Sequence, residues 1–213
     1  MICAICEKRP SKRFCPAKGE RICAICCGRE REVTIDCPSD CPHLISARRY
    51  EAEHRKPLTR EEYPYGDVVV REDFVFERWP VIVAIASEIL NFQRRHRELT
   101  DSDVLSAIAA MAKTLRTLGT GVIYERPPDA PLARALYGRI GESLQEFRAN
   151  HATRVEVSNL TDSDTFLLVV FLLRVCKQES SARARSRAFL DLLRARFPLP
   201  AEAAKEPPRI ILP

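Results

Sequence analysis

The sequence predicts a mainly α-helical fold, with a cysteine-rich N-terminal module holding a short β-hairpin and a five-helix domain behind it. Three observations lead there. Eight of the nine cysteines fall within the first 43 of 213 residues. From residue 80 almost to residue 197, apolar residues recur at three- and four-residue spacing, the period of an amphipathic helix. The hydrophobic share of 46% is enough to fill a core and excludes a disordered chain. The boundaries that follow are a module over residues 1–45, a helix and connector over 46–79, a helical bundle over 80–197, and a Pro-rich tail over 198–213.

Within the module, Pro16 to Gly19 suits a reversing turn between residues 11–15 and 20–23, which predicts the hairpin. Residues 29–32 read as a brief helical turn or loop. The β-branched run Val33-Thr34-Ile35 reads as a short extended piece. Residues 45–55 form a charged helix candidate. The connector holds Pro57, Pro64, Gly66 and Pro80, a strand-like run at Val68 to Val70, and an alternating patch around Phe74 and Phe76. Trp79 with Pro80 reads as an anchor between connector and bundle.

The first bundle helix presents Val81, Ile82, Ile85, Ala86, Ile89 and Leu90. The second follows Leu99-Thr100-Asp101-Ser102-Asp103, whose Thr or Asp can cap exposed backbone donors. Its stripe is Val104, Ile108, Met111, Leu115 and Leu118, and Gly119 and Gly121 are expected to stop it. The third, after Pro127 and Pro128, places Leu132, Leu136, Ile140, Leu144 and Phe147 on one face. The fourth opens with the same five residues as the second, at Leu160 to Asp164. It is apolar on every side from Phe166 to Leu173, as the central buried helix should be. The fifth, over residues 182–197, turns Phe189, Leu192 and Leu193 inward. The repeated LTDSD raises a duplicated helical hairpin, or two independent caps.

The cysteines run Cys3-x2-Cys6, Cys15, Cys23-x2-Cys26-Cys27 and Cys37-x3-Cys41, with His43 two residues on. A segment this short cannot bury enough apolar area to fold alone. Zinc ligation contributes on the order of 10 kcal/mol of folding free energy to such modules. Cys3, Cys6, Cys23 and Cys26 have the separation at which two CxxC knuckles share one tetrahedral zinc. Cys15, Cys27, Cys37 and Cys41 remain for a second site; His43 is a candidate substitute for Cys41, though a capped or exposed histidine is the commoner explanation. The side chains of the adjacent Cys26 and Cys27 diverge, so one goes to each ion, and the two sites interleave. At least one zinc ion is implied, and two where both sets close. An iron–sulfur cluster or a redox switch is the alternative use of these thiols. Cys176, on an apolar helix, reads as a core residue.

This order resembles the small cross-brace zinc fingers of HIT and MYND type, or a ribbon-type finger, over residues 1–43 only. Those fingers open with CxxC, pass through a CP step (here Cys15-Pro16) and a CxxC-like pair, and close on a Cys/His group. Lys18 stands where the HIT pattern has a second cysteine, and no histidine lies between Cys27 and Cys37. The resemblance implies a finger that binds other proteins or supports a larger assembly.

Charge narrows the function. Residues 1–60 carry 13 Lys/Arg against 8 Asp/Glu, and the remainder is balanced at 21 against 21, so the net +5 lies on the module. A zinc ion held by four thiolates carries −2. Two such centres would bring the module to about +1, so much of its basicity balances its own ligands. Closed four-ligand sites leave no position for a reacting water, which favours a structural over a catalytic metal. No phosphate loop, HExxH or GxSxG is present, and His54, His96 and His151 are isolated in polar surroundings. No catalytic or organic-cofactor residue is therefore named. The longest apolar run has eight residues, which excludes a helical membrane span, and no apolar signal segment opens the chain. A cytoplasmic location follows as the default.

The expectation is a non-enzymatic zinc protein that acts as a protein-interaction or regulatory module, with a protein partner and no membrane. Ile210, Ile211 and Leu212 at the tail's end are candidates to dock on a groove of the helical body. The second reading is a nucleic-acid-binding regulator using Lys8, Arg9, Lys12, Arg13, Lys18, Arg21, Arg29 and Arg31 around Phe14. The third is a redox-responsive zinc-thiolate protein.

Overall fold

The computed structural model describes residues 1–118, 125–151 and 160–197, with His151 described by its backbone alone. The glycine stop at Gly119 and Gly121 and the Pro-rich tail lie outside the described residues.

The only strands among the described residues are β1 (Arg13–Cys15) and β2 (Glu20–Ile22). They pair antiparallel in the register Arg13 to Ile22, Phe14 to Arg21 and Cys15 to Glu20. The connecting turn brings Gly19 to φ +68°, a conformation a side chain would resist. The amides of Lys18 and Gly19 donate to the Cys15 carbonyl. Then come α1 (Ala24–Glu30), α2 (Pro42–Glu53) with Pro at its first position, and α3 (Glu72–Glu77). The body is α4 (Trp79–Arg95), α5 (Asp101–Leu118), α6 (Pro131–His151), α7 (Asp162–Glu179) and α8 (Ala188–Arg196).

The described residues thus hold eight helices, which corrects the expected count of five. One added helix is α3, where the Phe74 and Phe76 patch is helical rather than strand-like. Glu72 and Asp73 occupy its positive end, and Asp73 accepts from the Phe74 amide. Val68 to Val70 forms no strand either. The Arg174 guanidinium takes the carbonyls of Pro64, Tyr65 and Val68, so this backbone is satisfied by a side chain instead of a neighbouring strand. Residues 32–34 form a turn between an isolated bridge of Arg31 and Ile35, and not an extended piece. The fifth bundle helix begins at Ala188 and leaves residues 182–187 as a loop, for a reason that lies in α5.

That reason is Asp101. The capping box of α5 is made by Thr100 and Asp103, which exchange side-chain and backbone hydrogen bonds, just as Thr161 and Asp164 do for α7. Asp101 is left over, is 1% exposed, and reaches across to the start of α8. Its carboxylate accepts from Ser186 Oγ at 2.8 Å and from the amides of Phe189 and Leu190 at 3.1 and 3.2 Å. The helix is capped from another helix, at a position local sequence cannot reveal. The corresponding Asp162 pairs instead with Arg148. The two LTDSD segments therefore share their capping box and differ in this aspartate.

The predicted stripes face inward. Val81, Ile82, Ile85, Ala86, Ile89 and Leu90 on α4 are buried, as are Val104, Ile108, Met111 and Leu115 on α5 and Leu136, Ile140, Leu144 and Phe147 on α6. Helix α7 packs on α5, α8 and α4 and buries Leu168, Val169, Val170, Leu172 and Leu173. On α8 the buried residues are Phe189, Leu190 and Leu193, while Leu192 is half-buried. Trp79 packs between Phe76, which it stacks on, and the tilted ring of Phe197. No described helix is long and apolar enough to cross a membrane.

A second, smaller core lies in the module. Its buried members are Ile22, Ile35 and five cysteines, namely Cys3, Cys15, Cys23, Cys26 and Cys27. Two isoleucines do not hold such a segment together, so most of this core is sulfur.

Candidate metal centre

The first cysteine pair sits on a tight N-terminal loop. Cys3 N donates to the Arg9 carbonyl, Glu7 N to the Cys3 carbonyl, and Glu7 adopts φ +50° to close the turn. Ala4 N donates to the Arg21 carbonyl and ties this loop to β2, whose end delivers Cys23. Cys23 is also the N-cap of α1, its sulfur accepting from Cys26 N at 3.4 Å. Cys3 Sγ accepts from Cys23 N at 3.1 Å. The sulfurs of Cys3, Cys6, Cys23 and Cys26 all lie within 4.8 Å of one another.

Sulfurs placed tetrahedrally about 2.3 Å from a zinc ion are separated by about 3.8 Å, so closing this cluster requires a contraction of at most about 1 Å. The electrostatics point the same way. Burial pushes the Cys3 thiol up, but the amides of Cys6, Cys23 and Ile5 more than offset it and hold Cys3 at about 6. The Cys26 amide likewise lowers Cys23. Burial, and then the neighbouring sulfurs, push Cys26 up to about 12. Amide donors thus favour some thiolates while the others resist ionising beside them, a conflict that a bound cation removes. These four cysteines form a cluster that could hold a metal ion, with soft donors suited to zinc or iron.

The other four predicted ligands come together less closely. Cys15 at the end of β1, Cys27 on α1, Cys37 and the α2 N-cap Cys41 line one small cavity, with His43 half-buried at the same wall. Only the first set meets the 4.8 Å condition among the described residues. Arg13 Nη1 donates to Cys27 Sγ at 3.4 Å. Burial raises Cys37, reinforced by the nearby Cys41 and Cys15 and opposed by a hydrogen bond from the Glu32 amide. The neighbours Cys26 and Cys27 face different groups, one in the tight cluster and one in this cavity.

None of the nine cysteines is in a disulfide, and Cys176 is fully buried in α7, remote in role from the module. Its thiol is pushed up to about 12 by burial. Of the described histidines, His54 stacks on Tyr50 and His96 on Phe92.

Sequence reasoning missed how the module is held to the helical body. Arg183 Nη1 donates to the carbonyls of Gly28 and Arg31, and Arg185 N to the Glu32 carbonyl. Arg187 pairs with Asp36. Arg48 spans Glu32 and Asp191 at 2.6 Å each, with Glu32 only 2% exposed and at φ +54°. Ser39 Oγ adds a hydrogen bond to Asp191. The arginine density of residues 183–187 was the available signal, but arginines spread round a helix read first as a solvated face. Comparison with protein-family models, curated proteins and solved structures gives no match for this chain.

Proposed function

We propose that this chain is a non-enzymatic zinc protein whose finger and helical body together form one protein-interaction surface. Two zinc ions are bound in interleaved closed sites, Cys3, Cys6, Cys23 and Cys26 holding one and Cys15, Cys27, Cys37 and Cys41 the other. The observation that carries this reading is the cluster of four sulfurs within 4.8 Å, to which four protein ligands leave no open coordination position. The shared cavity of the remaining cysteines supports the second site. The arginine contacts from residues 183–187 support a rigid composite rather than a tethered finger.

The surface proposed for the partner is the exposed apolar part of the finger, chiefly Phe14 at 56% and Ile25 at 51% exposure. The nucleic-acid reading loses two of its residues to internal contacts, since Arg13 faces Cys27 and Arg31 pairs with Glu51. The test is cross-linking in the native cell followed by purification of wild type and the F14A/I25A variant. A stoichiometric protein partner lost in the variant, with zinc content unchanged, is the expected result. Partner binding that survives the substitutions, or cross-linking to nucleic acid alone, would overturn the assignment.

A further inference from the structure

A cleft of about 960 Å³ opens where the module meets the helical body. Four arginines from two stretches of the chain line it. Arg94 lies in the last turn of α4, Arg97 just beyond it, Arg187 immediately before α8 and Arg194 within α8. The single lining carboxylate is Asp36, on the module side, which pairs with Arg187. Gln93 forms part of the floor and accepts from Arg194 Nη2 at 3.0 Å.

Helix polarity accounts for a cation at Arg94, because the last turn of a helix carries a partial negative charge. It accounts for Arg194 in the last turn of α8 as well, but not for Arg97 and Arg187 on the same cleft. Arg187 and Arg194 are held in place, the first by Asp36 and the Leu99 carbonyl, the second by Asp191 and Gln93. Arg97 is exposed and has no ion-pair partner among the described residues. Asp36 and Asp191 offset Arg187 and Arg194, and Arg97 keeps an uncompensated charge at the cleft, which a ligand with several anionic oxygens would satisfy. The planar guanidinium fork matches phosphate oxygens two at a time.

We propose that this cleft binds a compact polyphosphate, either inorganic or the phosphate chain of a nucleotide. Two features select this class over a nucleic-acid strand. The arginines line one cleft together, and no aromatic ring lines it to stack successive bases. Asp36 acts as the resident anion that the ligand's phosphate displaces from Arg187. The site does not depend on the partner-surface reading.

The test is titration calorimetry of the zinc-loaded full chain with pyrophosphate, with ATP and with a mixed-sequence single-stranded oligonucleotide, zinc content being checked after each titration. Pyrophosphate binding that weakens with added salt is expected, and R94Q and R97Q should each weaken it about tenfold or more, the loss of a charged hydrogen bond. D36N should tighten binding, whereas a merely structural Asp36 would give the opposite sign. Equal affinity for ATP and pyrophosphate would assign recognition to the phosphates alone, and tighter ATP binding would assign it to a nucleotide. An absence of binding by both, binding unchanged in folded R94Q/R97Q protein, or binding of the oligonucleotide alone would overturn the proposal.

Discussion

Replacing Asp101 by alanine tests the way α8 is fixed in the fold. The side chain is 1% exposed and satisfies three donors, the Ser186 hydroxyl and the amides of Phe189 and Leu190. Each buried donor stranded without an acceptor costs about 1–3 kcal/mol, and partial relaxation keeps the total below the simple sum. The D101A variant is expected to lose roughly 4 kcal/mol, a large part of the 5–15 kcal/mol typical of a domain. Asn keeps the shape but turns an amide donor toward one of these groups, so D101N should lose about 2 kcal/mol. Denaturant unfolding followed by helical circular dichroism gives both values, and hydrogen exchange should quicken at Phe189 and Leu190 in the same variants. The pH dependence adds a sign. Burial raises the Asp101 carboxyl above its ordinary 3.8, against the hydrogen bonds from Ser186, Phe189 and Leu190. The folded state therefore holds the proton more tightly than the unfolded one between 3.8 and the raised value, and the contribution of this group falls as pH climbs through that window. The margin of wild type over D101N should thus be wider near pH 4 than at pH 7. A D101A loss under about 0.5 kcal/mol would refute the cross-helix cap, and a margin that widens with pH would contradict the raised carboxyl.

Three further outcomes are expected. R48A leaves the buried Glu32 carboxylate without its cation, so it should cost about 3–5 kcal/mol in the same assay, and E32Q in that background should recover part of it. T161A removes the α7 capping box and should cost about 1 kcal/mol, with no change in bound metal. After chelation of metal under native conditions, a thiol reagent should modify the eight module cysteines, and Cys176 should react only on unfolding, because burial holds its thiol up at about 12. Rapid reaction of all nine in the folded body would contradict the packing of α7.

Much of the helical body was legible because its stripes obey one period. Positions such as Ile85, Ile108 and Ile140 are buried as that period requires. A cap at LTDSD was readable too, since its partners lie within four residues, and the structure shows it as a reciprocal box at Thr100 and Thr161. What was not legible depends on distant groups. Asp101 looked like a local cap and serves α8, and Arg174 replaces a strand that the Val68 to Val70 run suggested. The α8 boundary moved for the same reason. In the module, the spacing of Cys3, Cys6, Cys23 and Cys26 led to a cluster the fold does assemble. The docking arginines and the cleft they help form arise from residues more than 100 positions apart, such as Asp36 and Arg187, and carry no spacing signature.

The proposed metal chemistry places two interleaved closed centres of four cysteines each in this module. Native mass spectrometry of protein purified without added metal, repeated on C6S and C41S variants, measures it most directly. Two zinc ions are expected in the wild type, with the loss of one ion in each variant and the other centre kept. A single ion lost in C6S and unaffected in C41S would contradict the second centre, and stoichiometric iron would contradict zinc.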